Sequence, residues 1–101
     1  MLETLIASAI IWTGIATYYS DYYEGRRTAS KQIFTQSKLT LARPGFGGHP
    51  YKVKVTNWHT GISSDALVND GCNCSADFAK ALTRKLNGGK LGNIKVIISR
   101  I

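Results

Sequence analysis

The chain has few groups able to move a proton near neutral pH. Its 101 residues hold six carboxylates (Glu3, Asp21, Glu24, Asp65, Asp70 and Asp77), two histidines (His49 and His59) and two cysteines (Cys72 and Cys74). Paired carboxylates can serve as acid and base at a glycosidic bond. Glu3 lies in an apolar stretch, and Asp21, Glu24 and Asp65 lie near turns. Asp70 precedes a glycine, where an aspartate can bond its own loop. Asp77 opens a helical pattern and suits capping that helix or orienting its neighbours. Both histidines fall in solvated turns, so neither a metal nor a cofactor is expected. Cys72 and Cys74 are one residue apart. A disulfide between them would close a very small ring, and two thiols supply half a zinc site at best. The pair therefore assigns no redox compartment.

The elements that must position these groups are short and mostly β. A chain of this length forms one domain. Ten glycines against two prolines indicate many tight turns, and abundant Val, Ile, Thr and Tyr favour strands. Residues 17–23 are aromatic and β-prone, and Glu24-Gly25 turns the chain. Residues 31–34 and 39–43 read as short strands, followed by the loop Pro44-Gly45-Phe46-Gly47-Gly48-His49-Pro50. Residues 51–56, Tyr-Lys-Val-Lys-Val-Thr, alternate with period two as a half-buried strand does. Asn57-Trp58-His59-Thr60-Gly61 is a turn before a strand at 64–68. From Ser75, a good N-cap, Phe78, Ala79, Leu82 and Leu86 recur at helical spacing until Asn87-Gly88-Gly89. Residues 94–98 close the chain as a strand. This pattern, without a βαβ rhythm, predicts a small barrel.

Charge and the first residues bear on partners. Thirteen Lys and Arg against six acids leave a net charge of +7, which favours an anionic partner such as an acidic polymer. The basic residues are scattered, adjacent only at Arg26-Arg27 and Arg84-Lys85, and no groove-reading element accompanies them. Nucleic acid is therefore not expected. The apolar run at 1–16 is too short for a membrane-spanning helix and lacks the basic start of a secretory signal. It reads either as an element packed on its own barrel or as a docking helix or anchor. The expected division sets residues 1–14, bound to a protein partner, apart from a barrel at 15–101.

Several segments, taken in order, resemble one family. Ile15-Ala16-Thr17-Tyr18-Tyr19, Gly25-Arg26-Arg27-Thr28-Ala29-Ser30 and Leu39-Thr40-Leu41-Ala42 resemble the start of the rare-lipoprotein-A double-psi barrel, which is related to expansins and barwins. Val53-Lys54-Val55-Thr56-Asn57 with Gly61, Val68-Asn69-Asp70-Gly71, and Asp77-Phe78-Ala79-Lys80-Ala81 are similar to its later motifs. The resemblance runs from about Ile15 to Ile101. It implies a mainly β fold: a six-stranded double-psi barrel with one or two short helices and an apolar N-terminal segment.

The resemblance also implies a function. The family includes lytic transglycosylases of peptidoglycan, in which an Asp of the Val-Asn-Asp loop is the acid/base, and this role carries over to Asp70. Thr28, Gln32, Arg43, Tyr19 and Asp77 fall at positions expected to bind substrate. Gln32 stands where the family has Glu, Arg43 where it has His, and Gly71-Cys72-Asn73-Cys74 replaces its Arg-Gly-Pro-Phe. Lytic transglycosylation uses the sugar's own C6 hydroxyl as nucleophile, so one residue acts first as acid and then as base. Asp70 could do this alone if partial burial raises its pKa. Arg43 beside it would oppose that and would instead grip a glycan or peptide carboxylate. Thr28 would hydrogen-bond Asp70 or fill a strand position. The tyrosines at 18, 19, 22 and 23 would pack the core or stack on sugars. Three readings follow: a peptidoglycan lytic transglycosylase of the cell envelope, a non-catalytic glycan-binding module, and an assembly component such as a phage tail part docked through residues 1–14.

Overall fold

The computed structural model describes residues 9–101. Six strands are present: β1 (Ile10–Tyr18), β2 (Thr40–Arg43), β3 (Tyr51–Asn57), β4 (Ser63–Gly71), β5 (Asp77–Phe78) and β6 (Ile94–Arg100). They close into a barrel in the order β1-β5-β2-β4-β3-β6. β1 runs parallel to β5 and β2 runs parallel to β4, and the remaining neighbours are antiparallel. An α-helix, α1 (Lys80–Leu86), joins β5 to β6, and a 3₁₀ turn covers Asp21–Tyr23.

Alternation along the strands builds the core. In β3, Val53 and Val55 are fully buried while Lys52 and Lys54 face water. Val68 of β4 and Val96 and Ile98 of β6 point to the same interior, where Leu41 and Phe78 join them. From α1, Leu82 and Leu86 are fully buried in this cluster. Each such side chain contributes about 1.5–3 kcal/mol when taken out of water, so the few residues of α1 hold firmly.

The helix starts later than its apolar spacing suggests. Asp77 and Phe78 are strand rather than first turn, because their backbone is needed between β1 and β2 to complete the wall. Ser75 and Asp77 therefore do not cap α1, and its N-cap position, Ala79, offers no side-chain bond. Gln36 supplies the acceptors from a distance: its Oε1 takes the Lys80 N–H at 2.8 Å and its carbonyl takes that of Ala81 at 2.9 Å. Residues 31–34 do not form a strand either. They return against 26–28 in a tight hairpin with one bridge, Arg27 to Ile33, and Lys31 takes a positive φ of 68° at the turn.

β1 begins at Ile10, so the expected division after residue 14 falls inside a barrel strand. Trp12, Thr13 and Gly14 pair with Ile98, Ile97 and Val96 of β6. Gly14 is required there by packing. A Cβ at this position would lie 2.3 Å from Cζ2 of Trp12, whose indole packs against the core. The expected docking of the apolar start can concern residues 1–8, which lie outside the described residues.

Candidate functional site

Asp70 owes its position to an irregularity. β2 and β4 pair Thr40 with Leu67 and Leu41 with Val68, but Ala42 then pairs with Asp70. Asn69 is thus the extra residue of a β-bulge. Inserting one residue reverses the alternation that follows. Asp70 consequently comes to the same face as Ala42, whereas the neighbouring Val68 is core.

Three donors converge on the Asp70 carboxylate. Oδ1 accepts the Ala29 N–H at 2.8 Å and the Gly71 N–H at 2.9 Å, and Oδ2 accepts the Tyr19 hydroxyl at 2.7 Å. Ala29 is offered by the hairpin, which is closed by Thr28 N–H to the Gln32 carbonyl and Phe34 N–H to the Arg26 carbonyl. Tyr19 follows β1, is 5% exposed, and stacks on Phe34 at 4.2 Å. Burial, reinforced by the carboxylate of Asp70, raises the Tyr19 pKa far above its ordinary value, so the phenol remains a proton donor.

A cleft of about 240 Å³ opens beside this carboxylate, lined by Tyr23, Ala42, Cys72, Asn73 and Asp77 as well as Tyr19, Asp70 and Gly71. Asp77 is half-buried. Burial raises its pKa, and the charge of Asp70 adds to that, while a 3.0 Å hydrogen bond from the Thr17 hydroxyl opposes it. Cys72 and Cys74 form a disulfide across the single residue Asn73, with Cα atoms 5.1 Å apart. The sequence alone leaves the state of these two cysteines open. Both Cys72 and Asn73 line the cleft.

The other expected site residues are placed differently. The Thr28 hydroxyl pairs with that of Ser30 at 2.8 Å, and it is the next backbone N–H, from Ala29, that reaches Asp70. Gln32 lies outside the cleft, its Oε1 accepting from Asn69 Nδ2 at 3.0 Å. Arg43 alternates with Ala42 in β2, so it also lies outside the cleft. It donates to the Ser75 carbonyl and lies over the Trp12 ring, and it is not the expected cation beside Asp70. Tyr19 presents no ring face to a ligand because its ring is buried. Of the tyrosines at 18, 19, 22 and 23, Tyr22 and Tyr23 are exposed, at 65% and 46%, with the Arg26 guanidinium 4.0 Å above Tyr22. The Ala29 and Gly71 N–H groups and Asn73 went unpredicted, because backbone donors and a loop residue carry no side-chain signature. Among the described residues, no group of three His, Cys, Asp or Glu side chains is placed to hold a metal.

A closed six-stranded barrel with an aspartate held by three donors in a cleft thus defines the protein's architecture. No protein-family profile matches the chain. It is 31% identical over 86 residues to the uncharacterized protein ssl3177 of Synechocystis sp., covering 85% of this chain and 94% of that protein, and it belongs to that protein's family. It is also 42% identical over 59 residues to the probable endolytic peptidoglycan transglycosylase RlpA of the same organism. That match spans 56% of this chain and 17% of the longer protein, so the barrel is related to a part of RlpA.

Proposed function

We propose that this barrel is of the double-psi type and acts in the cell envelope on peptidoglycan, as a lytic transglycosylase with Asp70 as its single acid/base. The two parallel pairs, β1 with β5 and β2 with β4, support the double-psi assignment. One observation carries the functional reading: Asp70 is anchored by Ala29, Gly71 and Tyr19, yet opens on a cleft. Both N–H bonds fall on Oδ1, and Oδ2 takes only the Tyr19 hydroxyl, which leaves Oδ2 one lone-pair direction for a ligand. A proton held there would pass to the glycosidic oxygen as its bond to C1 breaks. The C6 hydroxyl would then attack C1, and its proton would return to Oδ2, leaving a 1,6-anhydro end and a regenerated acid. Tyr19 keeps the carboxyl aimed throughout and, with its pKa raised, stays protonated while it does so. Asp77 shares the cleft with Asp70, and burial raises its pKa.

Digestion of purified peptidoglycan with mass analysis of the products tests this. Wild-type protein should release 1,6-anhydromuramyl ends and Asp70→Asn should release none while remaining folded. The fold should survive because Asn Oδ1 keeps both N–H bonds and the Tyr19 hydroxyl can turn to accept from Nδ2. Equal product from both proteins would remove Asp70 from the mechanism.

A second reading, a non-catalytic glycan-binding module, is favoured by the placement of Gln32 and Arg43. Both replace the family's residues, and both are engaged elsewhere, with Asn69 and Ser75. Absence of product from wild type, with retained binding to peptidoglycan, would select it. An assembly role, in a phage tail for example, would rest on residues 1–8 finding a protein partner.

A further inference from the structure

The bulge that turns Asp70 to its cleft leaves a second feature on the other side of the 28–32 hairpin. A cavity of about 340 Å³ lies there, sharing no residue with the Asp70 cleft. Asn69 lines it and is 4% exposed. Its Nδ2 donates to Gln32, but its Oδ1 is buried and accepts no hydrogen bond among the described residues. Buried acceptors in folded proteins are normally paired, so this one calls for a donor from outside the chain. A single water would serve the acceptor alone, but the cavity is far larger than one water requires.

The rest of the lining specifies what else a ligand carries. Lys38 is exposed at the rim and, among the described residues, no carboxylate lines the cavity, so an anion is favoured. Ile33, half exposed, and Leu67 supply an apolar contact. The Thr40 hydroxyl and the Gln32 amide add polar partners. A donor, a small apolar group and an anion within one cavity describe an acylamino carboxylate: a secondary amide N–H with a methyl on one side and a carboxylate nearby.

We propose that this cavity is a second subsite that binds an acylamino carboxylate, with Asn69 Oδ1 accepting the amide N–H, Lys38 facing the carboxylate, and Ile33 and Leu67 packing on the methyl. The inference rests on the peptidoglycan reading, since that polymer offers the grouping in two places: in the acetamido and lactyl groups of muramic acid that carries no stem, and in the alanine and following acidic residue of its peptide stems. The placement follows from β2 and β4, where the Thr40–Leu67 pair of this cavity and the Ala42–Asp70 pair of the cleft lie two residues apart on β2. One polymer can therefore reach both.

The test is a ¹⁵N-resolved NMR titration of the full chain with two probes, N-acetyl-alanyl-glutamate and a peptide-free glycan oligosaccharide containing muramic acid. The Asn69 side-chain amide and the Gln32 and Thr40 signals should move with one of them. Response to the dipeptide identifies the stem as the source, and response to the glycan identifies the sugar. Lys38→Ala, a surface change, should weaken that probe about threefold to fivefold, as expected for an exposed ion pair. Amidating the probe's carboxylate should weaken wild-type binding equally and leave binding to the Lys38 variant unchanged. If neither probe moves Asn69, Gln32 or Thr40 at millimolar concentration, the subsite is overturned. Ala42 and Gly71 report on the cleft separately. Their movement alone leaves the functional reading standing without the subsite, and movement at Asn69 with a silent cleft does the reverse.

Discussion

Replacing Tyr19 with Phe isolates a single hydrogen bond at the site. The ring is buried and stacked on Phe34 at 4.2 Å with an interplanar angle of 21°, and Phe keeps that packing. What is lost is the 2.7 Å bond from the hydroxyl to Asp70 Oδ2. A hydrogen bond to a carboxylate contributes about 1.5–3 kcal/mol, and its removal leaves a partly buried oxygen unserved. For a domain of this size, each kcal/mol shifts the melting temperature by about 4–8 °C, so a fall on the order of 10 °C is expected near neutral pH. Alkaline pH provides an independent check. Tyr19 is raised in the folded state, so the unfolded chain loses this proton first. Its stabilising contribution is complete below the ordinary tyrosine pKa of 10.0 and declines as pH rises above it. The decline is about 1.4 kcal/mol per pH unit for one proton. Denaturant unfolding of wild type and Tyr19→Phe across this range should therefore give converging stabilities as pH rises. Combining Tyr19→Phe with Asp70→Asn should cost less than the sum of the two single changes. Equal stability of wild type and Tyr19→Phe at pH 7, with parallel alkaline curves, would refute the role assigned to the phenol.

Three further outcomes follow from the same geometry. Gly14→Ala places a methyl 2.3 Å from the Trp12 ring, so it should destabilise by about 1–3 kcal/mol and change Trp fluorescence; unchanged unfolding would show that the indole yields freely. Deleting residues 1–8 should leave a folded barrel by circular dichroism, whereas deleting 1–14 should unfold it, because Trp12, Thr13 and Gly14 pair with β6. Asp77 is raised by burial, so its contribution to stability is complete below the ordinary carboxylate pKa of 3.8 and is lost as pH rises through the raised value. Asp77→Asn should flatten stability against pH in that window, and an unchanged profile would remove Asp77 as its source.

Much of the barrel wall was legible in the sequence because its determinants are local. The Lys-Val alternation at 52–55 sets the inward face of β3 whatever surrounds it, and the apolar 94–98 run behaves likewise. The ordered motifs from Ile15 onward led to Asp70 and Asp77, and the two share one cleft. Tertiary structure decided the remainder, where a residue's role depends on partners remote in the chain. Asp77-Phe78 lies in a helical pattern but becomes strand, since the wall between β1 and β2 needs its backbone. α1 starts at Lys80 because Gln36, 44 residues earlier, provides its acceptors. Gln32 and Arg43 sit at motif positions, yet hairpin geometry turns one to Asn69 and strand alternation turns the other from the cleft. One extra residue at Asn69 sends Asp70 outward to the donors of Ala29, Gly71 and Tyr19. A bulge is a relation between two strands, and neither strand's own sequence specifies the register it meets across the sheet.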